Sequence, residues 1–492
     1  MGLWRAVRHP PAAPDARALK AAAIAGALAR ERPHYSAFRR LTRAQMLILY
    51  GLVCLALYAF TVAPRVSASL VVAALALVFL AGFVYKAMLF LIGVAPGPST
   101  AQAQADDSAL PLYTILVPLY REARVVPVLI RALTALDYPP ERLDIKLIVE
   151  DDDAETQSAL AALGLRPPFT ILAVPPVGPR TKPKALAIAL EEARGSFLVV
   201  YDAEDQPEPD QLRRALARFA ALGPHTVCLQ ARLNFFNARE SWLTRLFAID
   251  YCLWFDALLR GLERIHAPLP LGGTSNHFRK DALVALGGWD PYNVTEDADL
   301  GFRIAREGFR VATLDSTTYE EAPTRLGPWL SQRTRWIKGY LQTYFVHMRA
   351  PGRLRREAGW RGVVTLHLFL LATVIGGLAS PILWVMFVDW VLTGHGVLSG
   401  FTGGALLLVS LFGLVAGNAL LVFLSLLAPL RRGWLFLIPY ALTVPLYWLL
   451  VSLAAWRAAG AFLLRPFYWA KTPHGLTRFQ ARAAPGEAGG TP

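Results

Sequence analysis

The chain has 492 residues, of which 54% are hydrophobic, and a formal net charge of +14. Such a length is too great for one compact core, and such an apolar share excludes an ordinary soluble protein. No basic stripe interleaved with base-stacking aromatic residues stands out. The charge is therefore interpreted as membrane topology and attraction to anionic lipid, and no nucleic-acid partner is expected.

The N-terminal residues and the cysteines bear on the compartment. No short apolar region with a small-residue cleavage site follows Met1, so we expect no cleavable signal peptide. Residues 15–32 instead predict an Ala-rich helix, a candidate for lying on the membrane surface. Cys54, Cys228 and Cys252 have no metal-ligand spacing, which predicts free, buried thiols without a disulfide framework.

Long apolar runs lie toward both ends of the chain. They cover residues 46–63, 67–94, 363–391, 404–430 and 434–460. Each run is long enough to cross a bilayer. Arginines gather before the first and the third run, so both flanks and the domain between them are expected in the cytoplasm. The sequence thus predicts a multi-pass protein of a bacterial-type inner membrane.

The predicted organisation alternates membrane parts with water-facing parts. These are a cytoplasmic N-terminal segment (1–44), two transmembrane helices (45–95), a soluble domain (99–350), a C-terminal transmembrane region (363–464) and a cytoplasmic segment with a disordered tail (465–492). The topology of residues 434–464 stays open between a hairpin broken at Pro439 and Pro445 and a span with an interfacial helix. Basic residues from Arg457 onward favour a cytoplasmic C-terminus.

Strand-like and helix-like segments alternate in the soluble domain. Short apolar, β-branched runs cover residues 112–119, 143–149, 169–174 and 196–201, with helical periodicity at 125–136 and 184–193. This alternation predicts a doubly wound, mostly parallel sheet. Acidic clusters follow the second and the fourth run, at the carboxyl ends of strands, where open α/β sheets bind ligands.

The acidic clusters suit a cation or a nucleotide. The first is Glu150-Asp151-Asp152-Asp153, and the second is Asp202-Ala203-Glu204-Asp205. Neighbouring carboxylates repel one another unless a cation or a polyphosphate–cation pair is bound. Asp-x-Glu after a buried strand suits a hard divalent ion that bridges to a diphosphate, whereas the first cluster could instead hydrogen-bond a nucleobase or ribose. Either cluster alone is also compatible with a solvated loop end.

Further segments of the domain are candidates for contacting a nucleotide or a substrate. Lys182 and Lys184, in the basic segment 180–184, offer a countercharge for a nucleotide phosphate, although a solvated basic turn is the alternative. The pair Gly272-Gly273 would let a substrate approach the backbone closely. His277, which follows it, is expected to be structural.

The stretch 289–336 begins and ends with a motif. Thr295-Glu296-Asp297 lies where a loop enters a helix, and carboxylates there would stay ionised near the positive end of the helix dipole, as a general base requires. An ordinary N-cap is the alternative. The stretch closes with Gln-Arg-Thr-Arg-Trp at 332–336, for which an anchor at the membrane surface is the competing interpretation.

With these four motifs in this order, the chain resembles the membrane-embedded processive glycosyltransferases of the GT-A type (family 2), such as cellulose, curdlan, chitin and hyaluronan synthases. Their pattern is Asp, Asp-x-Asp, Thr-Glu-Asp and Gln-x-x-Arg-Trp, which matches Asp151, 202–204, 295–297 and 332–336. The resemblance covers residues 113–340 and the flanks. It implies an α/β GT-A (Rossmann-like) cytosolic domain inserted between transmembrane α-helical segments.

The resemblance also implies how a donor would be held. The uridine of a UDP-sugar would contact the first cluster through Asp151, Glu150 and Asp152. Asp202 and Glu204 would coordinate Mg²⁺ or Mn²⁺ on the diphosphate, which neutralises charge on the leaving UDP. Because Glu204 replaces the usual second Asp, Asp205 is a further candidate ligand.

For the acceptor, the resemblance implies a base and a binding surface. Asp297 would take the proton from the acceptor hydroxyl as that oxygen attacks C1 in line, which inverts α to β. Glu296 is the backup base, and Thr295 is a substrate contact. In the motif at 332–336, Gln332 and Arg335 would bind the diphosphate, and Trp336 would stack on the terminal sugar of the growing chain.

Residues 469–475 resemble the gating loop of cellulose synthases. That resemblance implies that Lys471, Thr472 or His474 would lie near the diphosphate. The alternative is a positively charged tail that anchors the last helix.

The sequence thus predicts an inverting, processive β-glycosyltransferase that polymerises a UDP-sugar into an exopolysaccharide and moves it across the inner membrane. Expected partners are the UDP-sugar, the growing glycan and the lipid bilayer, with a periplasmic or secretion subunit as a further candidate. One alternative is a single-addition transferase acting on a lipid-linked acceptor, which the motif at 332–336 argues against. Another is a non-catalytic scaffold or receptor subunit, which the intact Asp202 and Asp297 argue against.

Overall fold

A computed structural model describes residues 15–95, 107–394 and 404–468, together with Gly475 and Thr477. The strands of the soluble domain are β1 Tyr113–Leu119, β2 Leu143–Glu150, β3 Phe169–Val174, β4 Phe197–Val200, β5 Gln206–Pro207, β6 Thr226–Phe235, β7 Asn276–Arg279 and β8 Arg310–Glu320. They form one eight-stranded sheet in the order β3-β2-β1-β4-β7-β6-β8-β5.

The sheet is parallel in its first half and mixed in its second. Strands β3, β2, β1 and β4 run parallel to one another. Strand β7 is antiparallel to both of its neighbours, β4 and β6, and β6 then pairs in parallel with β8. The predicted α/β fold is confirmed, and the expectation of a mostly parallel sheet holds for the half from which it was made.

Helices cover both faces of the sheet, so the central strand is apolar on both sides. Tyr113, Ile115 and Val117 of β1 pack into one core, and Leu116 packs into the other. The helices of the chain are α1 Ala16–Glu31, α2 Arg43–Val62, α3 Pro64–Val94, α4 Val126–Thr134, α5 Ala154–Ala162, α6 Lys182–Glu191, α7 Gln211–Leu222, α8 Trp242–Leu253, α9 Leu259–Arg264, α10 Lys280–Ala285, α11 Glu296–Arg306, α12 Leu326–His347, α13 Pro351–Thr365, α14 Ala372–Thr393, α15 Gly404–Leu427, α16 Ile438–Ala441 and α17 Val444–Leu464.

Within the described residues, five helices are long and apolar enough to cross a membrane, judged by length and composition. They are Arg43–Val62, Pro64–Val94, Pro351–Thr393, Phe412–Arg432 and Val444–Leu464. Their positions agree with the five apolar runs in the sequence. Helix α2 exposes large apolar side chains such as Leu47 and Tyr50, each about 70% accessible, as a lipid-facing helix would.

Helix α17 lies beside α12 of the soluble domain along most of its length. The rings of Trp329 and Tyr447 are 5.1 Å apart near one end, and those of Phe345 and Phe462 are 5.5 Å apart near the other. Residues 444–464 form one unbroken helix with Pro445 in its first turn. The break in the apolar segment 434–464 lies before this helix, after the short helix α16.

The chain beyond α17 returns to the soluble domain. The backbone N–H groups of Gly475 and Thr477 donate to the carboxylate of Glu321, at 2.6 and 2.9 Å. Glu321 directly follows β8. The C-terminal chain is therefore on the same side as the soluble domain at this point.

Helix α1 packs on the soluble domain. Its buried stripe, Ala21, Ala25 and Leu28, faces α6 and the turn after α10, and Arg32 donates to the carbonyl of Ala285 at 2.8 Å. The expectation of a helix whose apolar face lies on the membrane is therefore wrong, because the domain already covers that face. The three cysteines are free as predicted, although Cys54 is exposed.

Candidate active site

A cavity of about 730 Å³ joins the carboxyl edge of the sheet to the membrane helices. We define its acidic end by Asp202, Glu204, Glu296, Asp297 and Glu320, which line it beside the sheet. We define its membrane end by Lys86, Thr373, Gly377, Asn418 and Ser452, which belong to α3, α14, α15 and α17. An aromatic collar of Tyr251, Trp254, Trp336 and Tyr340 lines the cavity between the two ends.

Asp202 follows β4 and pairs with Lys182 at the start of α6. The Lys182 ammonium also donates to the carbonyl oxygen of Gly273 at 2.6 Å. Burial alone would lower the pKa of Lys182, but the carboxylates of Asp202 and Glu296 outweigh burial and raise it. Lys182 is therefore a charged group at the acidic end, and its contact with a nucleotide phosphate stays a prediction.

Asp205 shapes the turn that carries Asp202. Its Oδ2 accepts from the Asp202 backbone N–H at 2.8 Å and from the Thr274 hydroxyl. Its Oδ1 is buried without a hydrogen-bond partner among the described residues. One oxygen of Asp205 is thus committed to the backbone, and its role as a metal ligand stays a prediction.

Glu204 and Glu320 carry strongly perturbed carboxyl groups. Burial, followed by the charges of Asp202 and Glu122, raises the pKa of Glu204 well above its usual range. Burial, followed by the charges of Asp205 and Glu204, does the same to Glu320. The sequence reasoning missed Glu320, although its position at the end of β8, on the same sheet edge as Asp202, was a usable signal.

The acidic end fits a divalent cation that is shared with a ligand. Among the residues that the structure describes, no group of three or more His, Cys, Asp or Glu side chains is arranged to hold a metal ion. Asp202 and Glu204 nevertheless supply carboxylate oxygens whose mutual repulsion a cation would relieve. Mg²⁺ and Mn²⁺ sites commonly use few protein ligands and are completed by water and phosphate oxygens. These residues therefore fit an ion completed by a diphosphate.

Glu296 and Asp297 form the first turn of α11 and differ in protonation. Burial, followed by the Asp297 charge, raises the pKa of Glu296 to about 8. Burial raises the pKa of Asp297 to about 6, limited by the Ala298 N–H, which donates to Asp297 Oδ1 at 2.7 Å, and by Lys182. Near neutral pH Asp297 is ionised and Glu296 holds its proton, so Asp297 is the better base of the two.

A close crossing of α11 and α12 positions the two motifs. A Cβ atom at Gly339 would lie 2.2 Å from Thr295 Oγ1, so only glycine allows this approach. Next to it, the Val294 N–H donates to Gln342 Oε1 at 3.0 Å. Thr295 Oγ1 is buried and makes no hydrogen bond among the described residues, so packing on α12 is its observed role.

Gly273 lies beside Asp297 in the cavity wall. A Cβ atom at this position would lie 3.4 Å from Asp297 Oδ2. A Cβ atom at Gly272 would lie 2.9 Å from the Phe255 ring, so packing accounts for that glycine. Close approach of a ligand to the backbone of the pair stays a prediction. His277, further along, is buried in the sheet, where the Tyr113 hydroxyl lies 2.8 Å from its Nδ1, and burial lowers its pKa to about 3. It is therefore a neutral structural histidine, as predicted.

Helix α12 brings Gln332, Arg335 and Trp336 to the cavity wall. The charge of Arg335 interacts with those of Glu296 and Asp202, while burial lowers its pKa. Gln332 Oε1 is buried and has no hydrogen-bond partner among the described residues. The Trp336 ring is inclined by 30° to the Tyr251 ring, with centroids 6.3 Å apart. The structure therefore places these predicted residues together on the cavity wall, with Trp336 in the collar.

Arg333, in the same motif, has a different role that the sequence did not reveal. Its guanidinium pairs with Asp250 of α8 and donates to the Tyr447 hydroxyl of α17 at 2.7 Å. It also lies 4.8 Å from the centroid of the Trp336 ring. Arg333 thus connects three helices next to the collar.

The basic residues of α6 separate into two environments. Lys184 is fully buried and pairs with Glu150 at 2.6 Å. It also donates to the carbonyls of Pro175 and Val177, at 3.1 and 3.2 Å. The prediction that Lys184 binds substrate is therefore wrong. Its ammonium bonds to Glu150 and to backbone carbonyls inside the domain, and its side chain does not line the cavity.

The first acidic cluster meets the cavity only at its edge. Glu150 lines the cavity, and burial raises the pKa of its carboxyl group. Asp152 pairs with Arg180 at 2.8 Å, and Asp151 lies 3.5 Å from Arg17 of α1. Asp151 and Asp152 stay predicted nucleoside contacts, held at the rim by arginines. Lys471, Thr472 and His474 lie outside the described residues.

Residues 111–339 match the family model described as "Glycosyltransferase like family 2". The chain carries a glycosyltransferase family 2 domain. This agrees with the four motifs, and the GT-A-like mixed sheet agrees with the predicted fold class.

Curated relatives of this domain act on different acceptors, judging by their names. Over 283 residues the chain is 26% identical to glucomannan 4-beta-mannosyltransferase 2 of Arabidopsis thaliana, covering 55% of this chain and 52% of the relative. Over 281 residues it is 28% identical to beta-monoglucosyldiacylglycerol synthase of Synechocystis, covering 56% and 57%. The chain thus spans about half the length of these relatives.

A solved structure shares the fold. It is the mannosyltransferase PcManGT from Pyrobaculum calidifontis, in complex with GDP-Man and Mn²⁺. It superposes with a TM-score of 0.50 at 20% sequence identity, covering 80% of this chain and 99% of that chain. At this level of identity the likeness supports the GT-A fold of the domain.

Proposed function

We propose that the chain is an inverting, divalent-metal-dependent β-glycosyltransferase that extends a glycan processively and passes it into the membrane. The observation that carries this proposal is a continuous cavity that joins the acidic end to the membrane helices. A transferase that released its product to the cytoplasm would have no need for a polar, aromatic path in that direction.

The donor is a nucleoside diphosphate sugar bound at the acidic end. Asp202 and Glu204 would hold Mg²⁺ or Mn²⁺, which neutralises charge on the leaving diphosphate. Lys182 and Arg335 add fixed positive charge beside it. We take UDP as the nucleotide from the resemblance to polysaccharide synthases, and GDP is the other candidate, because PcManGT is bound to GDP-Man.

Sugar transfer uses Asp297 as the base. Its carboxylate accepts the proton of the acceptor hydroxyl while that oxygen forms a bond to C1 of the donor sugar. The bond between C1 and the diphosphate oxygen breaks, and the nucleoside diphosphate leaves with the electron pair. Attack from the opposite face inverts the configuration at C1.

The acceptor glycan lies along the aromatic collar. Trp254 and Tyr340 face each other at an interplanar angle of 8°, with centroids 6.5 Å apart. Flat aromatic faces suit the apolar faces of sugar rings, and the hydroxyl and amide groups of Thr373, Asn418 and Ser452 further along suit the hydroxyls of sugars. The collar therefore guides the chain from the acidic end toward the membrane end.

The proposed location is the cytoplasmic membrane, with the catalytic domain in the cytoplasm. Helices α2 and α3 form one pair of spans, and α14 and α15 form another. Helix α17 packs on both α12 and α14. In the proposed topology it does not cross the membrane, so α1 and Gly475 lie on the cytoplasmic side. The contacts of α17 with α12 and of Gly475 with Glu321 support this topology.

The test is incorporation of radiolabelled sugar by the purified full chain in nanodiscs. UDP-glucose, UDP-N-acetylglucosamine and GDP-mannose are each offered with Mg²⁺ or Mn²⁺, and Asp297→Asn is compared with Asp281→Asn, an exposed acid in the first turn of α10. We expect long polymer from one donor, lost in Asp297→Asn only. A single sugar on lipid would replace the processive proposal with the single-addition alternative, and no turnover with any donor would reject the proposed function.

A further inference from the structure

The membrane end of the cavity contains a lysine. Lys86 belongs to α3, a helix with the length and composition of a membrane span, and lines the cavity about two turns before the helix ends at Val94. Its Nζ donates to Thr373 Oγ1 of α14 at 3.4 Å. An ionisable group at this depth is costly to bury, so it indicates a function.

The charges around Lys86 do not balance. Asp250 is the acid whose charge acts on the Lys86 ammonium, but its carboxylate is already paired with Arg333. Among the described residues no carboxylate forms an ion pair with Lys86 itself. Lys86 and Arg333 therefore share the single carboxylate of Asp250. This leaves one uncompensated positive charge in a part of the cavity that apolar helices bound.

A neutral ligand would not remove this imbalance. Sugar hydroxyls can accept hydrogen bonds from Lys86, but they carry no countercharge. A phosphate or a carboxylate supplies both, and hydrogen bonds between ionised groups are the stronger kind. Space for such a group exists beside Gly376, which lines the cavity on the same helix as Thr373 and where a Cβ atom would meet no atom within 4 Å.

A purely structural lysine would be placed differently. Lysines that only flank a span extend their side chains toward the lipid headgroups. Lys86 instead donates across the cavity wall to the hydroxyl of a neighbouring helix, and Thr373 directs its own proton to the Phe369 carbonyl at 2.6 Å. The Thr373 oxygen thus orients the ammonium toward the cavity.

We propose that Lys86 and Thr373 form an anion subsite at the membrane end, filled by a phosphate or carboxylate group that the acceptor carries. This anion subsite rests on the proposed function, in which the cavity holds the acceptor. It adds the chemical class of that acceptor: a lipid phosphate or an acidic glycan, in preference to a neutral one.

The experiment measures ligand binding and sugar transfer on two portions of one preparation, and UDP is added only to the portion used for binding, because it would block transfer. The full chain is held in phosphatidylcholine nanodiscs, with saturating UDP and Mn²⁺ occupying the acidic end in the binding measurement. Dioctanoyl phosphatidic acid and trigalacturonic acid are titrated by calorimetry, with dioctanoylglycerol and maltotriose as their neutral counterparts. The variants are Lys86→Met, which keeps the length of the side chain, and Lys86→Arg, which keeps its charge.

The control variant is Arg457→Gln. It removes a cation from α17, where the side chain is exposed and does not line the cavity. We expect at least one anionic probe to bind about tenfold more tightly than its neutral counterpart, to lose that advantage in Lys86→Met, and to keep it in Lys86→Arg and Arg457→Gln. Preference for the lipid phosphate would identify a lipid acceptor, and preference for the uronate would identify an acidic glycan.

Equal binding of anionic and neutral probes would overturn the subsite, as would an anionic preference that survives Lys86→Met. Sugar transfer without anionic preference rejects the subsite alone. Anionic preference without transfer from any donor rejects the proposed function and leaves the subsite standing. If Lys86→Met fails to fold, Thr373→Val tests the same subsite through a smaller loss of the preference.

Discussion

At the acidic end of the cavity, the turn after β4 and the last residue of β8 bring Asp202 and Glu320 together with the first turn of α11. At the membrane end, helix faces present small polar groups such as Ser452 and a lysine, Lys86. The acidic end gathers carboxyl groups whose negative charge a cation would neutralise, whereas the membrane end presents hydroxyl groups and one positive charge. We infer from this difference that the glycosidic bond forms at the acidic end and that the membrane end holds the product.

The largest expected effect distinguishes the two carboxyls of α11. Asp297→Asn removes an ionised base and should lower kcat by about 10²- to 10⁴-fold. Glu296→Gln should retain most activity, because Glu296 is protonated near neutral pH and an amide resembles a protonated acid. Initial rates of donor consumption measure both. Equal losses in the two variants would contradict the assignment of Asp297 as the base.

The pH profile tests the same assignment in the unmodified protein. The base must be ionised, and the pKa of Asp297 is about 6. Activity should therefore be present above about pH 6 and fall about tenfold for each further pH unit below it. The measurement is kcat/KM for the donor between about pH 5 and pH 8. A profile that stays flat below pH 6 would exclude Asp297 as the titrating base.

The acidic end should also make the metal-free protein less stable as pH rises. Glu204, Glu296 and Glu320 have raised pKa values, which reach about 8 for Glu296. Unfolded glutamates titrate near 4.3, so between about pH 4.5 and 8 the folded state holds more protons and its free energy of unfolding falls. Tm measured over this range should decrease, and Mn²⁺ with UDP should reverse the decrease.

Glu320→Gln provides the control for this stability effect. The substitution removes one carboxyl group from the acidic end without adding charge, so the decline of Tm with pH should become shallower. Lys86→Met at the membrane end should leave the slope unchanged. A slope that Mn²⁺ and Glu320→Gln both fail to alter would place the pH dependence elsewhere in the chain.

The membrane end is tested by neighbouring positions on α17. Ser452 lines the cavity, whereas Leu453 is exposed on the helix surface. Ser452→Phe should shorten the polymer several-fold with less effect on the first transfer of sugar, because it narrows the path but leaves Asp297 in place. Leu453→Phe adds a ring on the outer face and should leave product length unchanged. Chromatography of labelled product by size measures both.

The residues of the acidic end could be predicted because most of them belong to short sequence motifs. The order of β-branched strands and acidic turns predicted the sheet edge, and residues 295–297 and 332–336 lie together as expected. Lys182 and Lys184 look equivalent in sequence, but a separation of two residues turns them to different faces of α6, so one reaches the cavity and the other the core.

Long-range contacts could not be predicted in this way. The joining of α8, α12 and α17 by Arg333 depends on residues more than 80 positions apart. The burial of the α1 stripe against the domain likewise depends on the arrangement of α6, since an Ala-rich amphipathic helix suits a membrane and a protein surface equally well. Periodicity indicates that a face is buried, not what covers it.

The smallest expected effect concerns the rim of the acidic end, where α1 reaches the predicted nucleoside contacts. Arg17 lies 3.5 Å from Asp151 and donates to the Ala173 carbonyl at 3.0 Å, but 59% of its side chain is exposed. An exposed pair of this kind contributes at most about 1 kcal/mol. Arg17→Ala should therefore change KM for the donor by less than about fivefold and leave kcat unchanged, and Lys20→Ala, on the exposed face of the same helix, should change neither. A large fall in kcat for Arg17→Ala would mean that α1 is part of the reacting site and that the acidic end extends beyond the cavity described here.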